Sequence, residues 1–242
     1  MKKIRIFAVI CLLSLPLVWG CVEVENNAQI SQLLGALGSS GAVLDENTIA
    51  AGLRQALQVG GERAVESAAN GAFNDDVRVK IPLPQQMQTV ASALRAVGLG
   101  GEVDNFETQM NRAASAAVVE AKPVLLDAVK QMSLTDVMNI YNGGNSAATD
   151  YFRRKTSATL QQRFKPVVHE KMQQTGVYAT YAELLQQYNA LPFASKPSLD
   201  LEDYLTSKTT DGLFTLMADE EAKIRTNPAA RSTALLQQVF GN

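Results

Sequence analysis

The chain has 242 residues, 46% of them hydrophobic, 19% charged and 6% aromatic, with a formal net charge of −2. That is a globular composition, neither collagen-like nor low in complexity nor disordered, and the length allows one domain or two small ones. The two cysteines, Cys11 and Cys21, and the single histidine, His169, exclude disulfides, cysteine zinc sites, iron–sulfur clusters, thiol catalysis and any two-histidine site from the body of the chain, and no cofactor is expected.

Residues 1–20 have the pattern of a secretory signal peptide. Lys2, Lys3 and Arg5 precede an apolar stretch from Ile6 to Leu13 that closes at Pro16, too short and wrongly flanked for a spanning helix. Val18-Trp19-Gly20 before Cys21 resembles the bacterial lipobox, with Trp19 larger than the pattern's usual residue. On that resemblance Cys21 is the lipidated first residue of the mature chain and its membrane anchor, and Val22 in place of Asp favours the outer membrane. The alternative is a plain secreted protein with a chance cysteine. Removing residues 1–20 removes three cations and no acid, taking the net charge from −2 to −5. A mildly acidic domain is a poor partner for nucleic acid, which rewards clustered Lys and Arg.

Residues 21–44 are expected to form a tether with a short helix at Ile30–Leu37. Asp45 or Thr48 can cap a helix with Ile49, Leu53 and Leu57 on its buried face, interrupted at Gly60-Gly61 and resuming through Ala64, Val65 and Ala68. In residues 70–84, Val77, Val79 and Ile81 alternate with Arg78 and Lys80. Pro82 and Pro84 limit this stretch to an extended segment or edge strand running over the helices. Helical spacing resumes from Gln85 to near Gly98, then from about Glu102 to Glu120 with Phe106, Met110 and Ala117 on one face. Pro123 suits the first turn of the next helix, and Ser133 with Asp136 signals a capped short helix ending at Asn142-Gly143-Gly144. The longest pattern runs from Ala147 to Gln174, capped by Ser146 or Thr149. Its apolar row is Phe152, Thr156, Leu160, Phe164, Val168 and Met172, and Pro166 is expected to kink or split it. A helix over Tyr178–Leu191, a loop at Pro192–Pro197, and a helix from Asp200 to about Arg225 follow. Asn227-Pro228 then opens a last helix to Phe240. Eight or nine helices with one short extended segment predict a single all-α domain over residues 45–242.

The motifs for chemistry are thin. His169-Glu170 lacks the second histidine of a zinc-protease motif, no GxSxG elbow surrounds a serine, and Gly98-Leu99-Gly100-Gly101 reads as a helix–helix turn rather than a dinucleotide loop. Asp75-Asp76, Glu202-Asp203 and Asp219-Glu220-Glu221 are paired carboxylates, but a glycosidase needs two that converge across a cleft. Tyr151, Arg153, Arg154 and Lys155 form the densest polar cluster, suited to an anionic head group or a partner's carboxylates. The other reading is intramolecular pairing with acids such as Asp127 or Glu220. Asn111 with Arg112, and Arg225 with Arg231, read first as helix-surface salt-bridge donors and second as ligand contacts.

From Ile81-Pro82-Leu83-Pro84 onward, five ordered landmarks carry a family resemblance: Met110-Asn111-Arg112-Ala113-Ala114, Asp150-Tyr151-Phe152-Arg153, Phe164-Lys165-Pro166-Val167-Val168, Asp211-Gly212-Leu213-Phe214 and Arg225-Thr226-Asn227-Pro228-Ala229-Ala230-Arg231. With them the chain resembles the domain-of-unknown-function 4197 family over nearly all of its mature length. The resemblance implies a helical, exported protein, often with a lipoprotein signal, and brings no activity or catalytic residue with it. The expectation is a non-enzymatic, lipid-anchored envelope protein that binds a partner. In one variant it holds a lipid-like apolar ligand in a cavity lined by Met110, Phe152, Phe164 and Leu213. The alternative is a cell-envelope hydrolase using paired carboxylates.

Overall fold

Asp45 is the first residue that the computed structural model describes; the description covers residues 45–192 and 197–241. The tether, its short helix, the signal segment and most of the 192–197 loop lie outside it. Nine α-helices of seven residues or more occur among the described residues: α1 Glu46–Ser67, α2 Gln85–Ala96, α3 Gly100–Ala117, α4 Ala121–Lys130, α5 Leu134–Tyr141, α6 Ala147–Gln174, α7 Val177–Asn189, α8 Leu201–Thr226 and α9 Ala234–Phe240. No strand is among them. α8 packs along α6 and α1, α3 and α4 pack on α6, and α9 closes against α1. The all-α class read from the spacing is therefore the observed one.

The local signals act where the spacing placed them. The Asp45 carboxylate accepts from the N–H groups of Asn47 and Thr48 at the start of α1. Ser133 and Asp136 form a reciprocal capping box on α5, and Asp200 accepts from the Asp203 N–H on α8. Each such cap contributes about 1 kcal/mol. The row Phe152, Thr156, Leu160, Phe164, Val168 and Met172 is buried along the whole of α6. Phe73, Phe106, Phe152, Phe164 and Phe214 are fully buried, each contributing about 1.5–3 kcal/mol by leaving water. Gly212 on α8 is where the Phe73 ring lies against the backbone, and a β-carbon there would overlap the ring.

Three expectations about the helices are corrected. Gly60-Gly61 does not interrupt α1. Both glycines face inward, and a β-carbon on Gly60 would stand 3.6 Å from Ile224 Cδ1 of α8. Close helix packing there outweighs the roughly 1 kcal/mol that a mid-helix glycine costs. The chain breaks later, at Gly71, whose φ of +106° suits glycine. Pro166 does not split α6. It and Gln162, whose carbonyl loses its donor, both lie on the exposed side, where water can replace the lost bond, while the buried row holds the helix in place. The last helix is not continuous: Asn227 caps a short 3₁₀ turn, Pro228–Ala230, and Thr233 caps a separate α9. The break lets the Arg231 side chain turn inward, as described below.

The stretch before α2 holds no strand, and the expected extended segment is corrected over residues 77–79, which form a turn closed by the Val79 and Lys80 N–H groups donating to the Asp76 carbonyl. Val79, Ile81 and Leu83 are buried, whereas Val77 is 87% exposed. The alternation is real but starts two residues later than its first apolar member.

Candidate functional site

Asn111 and Arg112 are separated by the helix that carries them. Asn111 is fully buried. Its Oδ1 accepts from the Ile81 N–H at 2.8 Å, and its Nδ2 donates to the Ile81 carbonyl at 2.9 Å and the Glu107 carbonyl at 2.8 Å. One side-chain amide thus serves Ile81 as a neighbouring strand would. The rest of the segment is treated alike: Tyr204 donates to the Pro82 carbonyl and Gln88 to that of Leu83, and Pro82 and Pro84 have no N–H to satisfy. Arg112 is exposed and has no ion pair among the described residues.

Arg225 and Arg231 are also turned inward, around a residue that the spacing did not single out. Both carboxylate oxygens of Glu221, on α8, accept from the first turn of α6: Ala148 N–H at 3.0 Å, Thr149 N–H at 2.9 Å and Thr149 hydroxyl at 2.8 Å. Glu221 therefore caps α6 from another helix, where the carboxylate meets both unpaired amides and the positive end of the helix dipole. Ser146 makes no capping bond. Arg225 pairs with Glu221 at 3.0 Å and donates to the Ile140 carbonyl. Arg231 donates to the carbonyls of Ile224 and Arg225 and so closes the C-terminal end of α8. Arg225 is thus a half-buried ion-pair donor rather than a surface one, and Arg231 bonds carbonyls rather than a carboxylate. Beside them lies a hollow of about 30 Å³ bordered by Leu53, Phe152, Met217 and Phe240, room for one or two waters. Met110, Phe164 and Leu213 are fully buried in the packed core, so the apolar cavity expected between them and Phe152 is filled by side chains.

The paired acids face cations, not each other. Arg78 bridges Asp76 at 2.6 Å and Asp219 at 2.8 Å, and Glu220 meets Lys223 at 2.6 Å and Arg63 at 3.8 Å. Asp203 meets Lys165, and Asp75 is exposed. Hydrogen bonds from Arg78 hold Asp76 below the usual carboxylate range, and those from Lys165 do the same for Asp203. A general acid needs the opposite shift. Glu202 accepts from the Tyr178 hydroxyl and lies 2.8 Å from His169 Nδ1. Those two hydrogen bonds, Tyr178's the larger, hold Glu202 low; burial and the same bond push Tyr178 well up. Gln173 Nε2 is 2.8 Å from His169 Nε2. The cluster ties α6, α7 and α8 together at the surface.

Unpaired charge is also found on the exposed side of α6, as it is at Arg112. From Tyr151 to Val168 the sequence has five cations, Arg153, Arg154, Lys155, Arg163 and Lys165, and no acid. Arg153 reaches Asp211 at 3.3 Å and lies over the Phe214 ring, and Lys165 has Asp203. Arg154, Lys155 and Arg163 are exposed and have no ion pair among the described residues. The expected partners Asp127 and Glu220 are not used by Arg153, Arg154 or Lys155. Lys155 lies 5.8 Å from the centre of the Tyr151 ring. One side of this face opens into a groove of about 270 Å³ between α4 and α6, lined by Asp127, Gln131, Tyr151, Lys155, Thr159 and Arg163 among others. Thr159, Arg163 and Gln131 were missed by sequence reasoning, and Asp127 was read only as a pairing acid for the cluster. The available signal was the row 151, 155, 159, 163, which runs one position before the apolar row on α6.

Among the described residues no three His, Cys, Asp or Glu side chains form a metal-binding group, and no helix is long and apolar enough to cross a membrane. No curated protein matches the chain, and no solved structure does. The family model described as "Protein of unknown function (DUF4197)" matches residues 43–241, which is nearly the whole chain. A helical body ordered by the Ile81–Asn111 latch and the Glu221–Arg225–Arg231 cluster, built on the landmark segments, accordingly belongs to the DUF4197 family.

Proposed function

We propose that this chain is an exported bacterial envelope protein, anchored by lipid at Cys21 on the periplasmic side of the outer membrane, that acts by binding a partner through the basic face of α6. The observation that carries the binding half is the acid-free run Tyr151–Val168 with Arg154, Lys155 and Arg163 left unpaired, in a mature chain of net charge −5. A local basic face steers an anionic partner despite the opposite overall charge. The hydrolase alternative has less support, because the acids it would use are paired with cations or exposed.

The two halves are tested separately. For the anchor, cells expressing the full chain are fed labelled palmitate. Label should enter the parent and be absent from Cys21→Ser, which should also leave the membrane fraction; equal labelling or equal fractionation ends that half. For the face, a photo-crosslinker at Ala158, exposed on α6, should give a discrete adduct that R154E/K155E/R163E abolishes. A crosslinker at Glu183, exposed on α7, should not give that adduct. An adduct indifferent to the charge reversal, or the same adduct from both positions, removes the binding face.

A further inference from the structure

We propose that the groove between α4 and α6 binds a phosphate group, presented either by a soluble phosphate ester or by a lipid head group. The inference rests on the reading of α6 as a recognition face and narrows it to one side of that helix and one ligand chemistry.

Three independent features meet there. The first is charge: Lys155 and Arg163 line the groove without an ion-pair partner among the described residues. They lie eight residues apart, about 12 Å of helix rise, and both side chains are long enough to lean over Thr159 between them. The second is a free donor. The Tyr151 ring is buried, but its hydroxyl makes no hydrogen bond to a described residue and meets the solvent of the groove, where a ligand can take its proton as an acceptor. The third is shape. A hollow of about 270 Å³ is close to the lower end of the roughly 300–1,000 Å³ of small-molecule sites.

The facing acids are Asp127, across the groove on α4, and Asp136, at the Tyr151 end. Asp136 is held in the Ser133 capping box and lies within the field of Lys155 and Arg154. Counting Arg154, the site keeps one net positive charge. An ammonium, a guanidinium and two hydroxyls offer more donors than one carboxylate can accept. The three outer oxygens of a phosphate match that set, with Arg163 able to donate in a fork.

The test is calorimetric titration of the full chain in non-ionic detergent with inorganic phosphate, glycerol phosphate and soluble dihexanoyl phosphatidylglycerol, with hexaglutamate as the acidic-peptide probe. At least one phosphate compound should bind saturably. K155Q/R163Q, two exposed positions, should weaken that binding at least tenfold, and Tyr151→Phe about threefold, with helix content unchanged. Binding of the simple esters assigns a soluble ligand, and binding of the lipid alone assigns a head group; both sustain the phosphate assignment. It is overturned if no phosphate compound binds, if K155Q/R163Q binds like the parent, or if hexaglutamate binds more tightly than every phosphate compound. Failed titrations with a persistent Ala158 adduct remove the phosphate and leave the binding face; the reverse pattern removes the crosslinked partner and leaves the phosphate.

Discussion

Replacing Asn111 by alanine removes the amide that satisfies both backbone groups of Ile81. The Glu107 carbonyl keeps its helical partner, so the loss falls on one N–H and one C=O, both in a residue 1% exposed. An unsatisfied buried group costs about 1–3 kcal/mol, giving about 2–6 kcal/mol for the pair, a large part of the roughly 5–15 kcal/mol that holds a domain together. For a body of this size, at about 2–4 °C per kcal/mol, that lowers Tm by about 4–24 °C. Urea unfolding of the full chain measures the total, and hydrogen exchange at the Ile81 amide locates it: the amide should exchange slowly in the parent and fast in the variant. Asn111→Asp is a sharper control. Its carboxylate still accepts from the Ile81 N–H but faces the Ile81 and Glu107 carbonyls without a proton. Burial and those carbonyls raise its pKa, so the folded state takes up a proton first and the stability deficit should narrow as pH falls. Loss of under about 0.5 kcal/mol in Asn111→Ala, with unchanged exchange at Ile81, would refute the latch.

Three further outcomes follow from the packing and the ion pairs. Gly212→Ala drives a methyl group into the Phe73 ring and should cost about 1–3 kcal/mol in urea unfolding; a neutral result would mean the α8–Phe73 contact relaxes freely. Glu221→Ala strips the cap of α6 and leaves Arg225 half-buried without its partner, so it should cost about 3–5 kcal/mol. In the E221A/R225A double variant the two losses should not add, and strict additivity in that cycle would show that the pair is not coupled. Asp76, Asp203 and Glu202 are all held below their ordinary values. Their contribution is therefore complete above the unfolded carboxylate range and is lost as pH falls through the folded values. Thermal unfolding should be flat from pH 7 to about pH 5 and decline below about pH 4, and in Tyr178→Phe, which removes the larger of the two bonds holding Glu202 low, the decline should be shallower because less stability is left to lose.

The sequence by itself determined the features that lie within a few residues of their cause. Asp45, Ser133 with Asp136, and Asp200 cap the helices they precede because a capping oxygen reaches only two or three residues ahead. The buried row of α6 is legible because a helix repeats every 3.6 residues. The same locality misled at Gly60-Gly61 and Pro166, where propensity named a break and packing against α8 or exposure to water removed its cost. It also misled at Asn227, a true cap whose 3₁₀ turn stops at Ala230, where the break lets Arg231 turn inward. Only the tertiary structure decided that Glu221 caps a helix through Ala148, 73 residues earlier, and that Asn111 replaces a strand partner for Ile81, 30 residues away. It alone also decided which cations of α6 stay unpaired and that α4 stands opposite Lys155 and Arg163 to make a groove. Such contacts have no period along the chain. They arise where folded helices bring unsatisfied amides and charges together, and a buried polar group must take whatever partner the packing supplies.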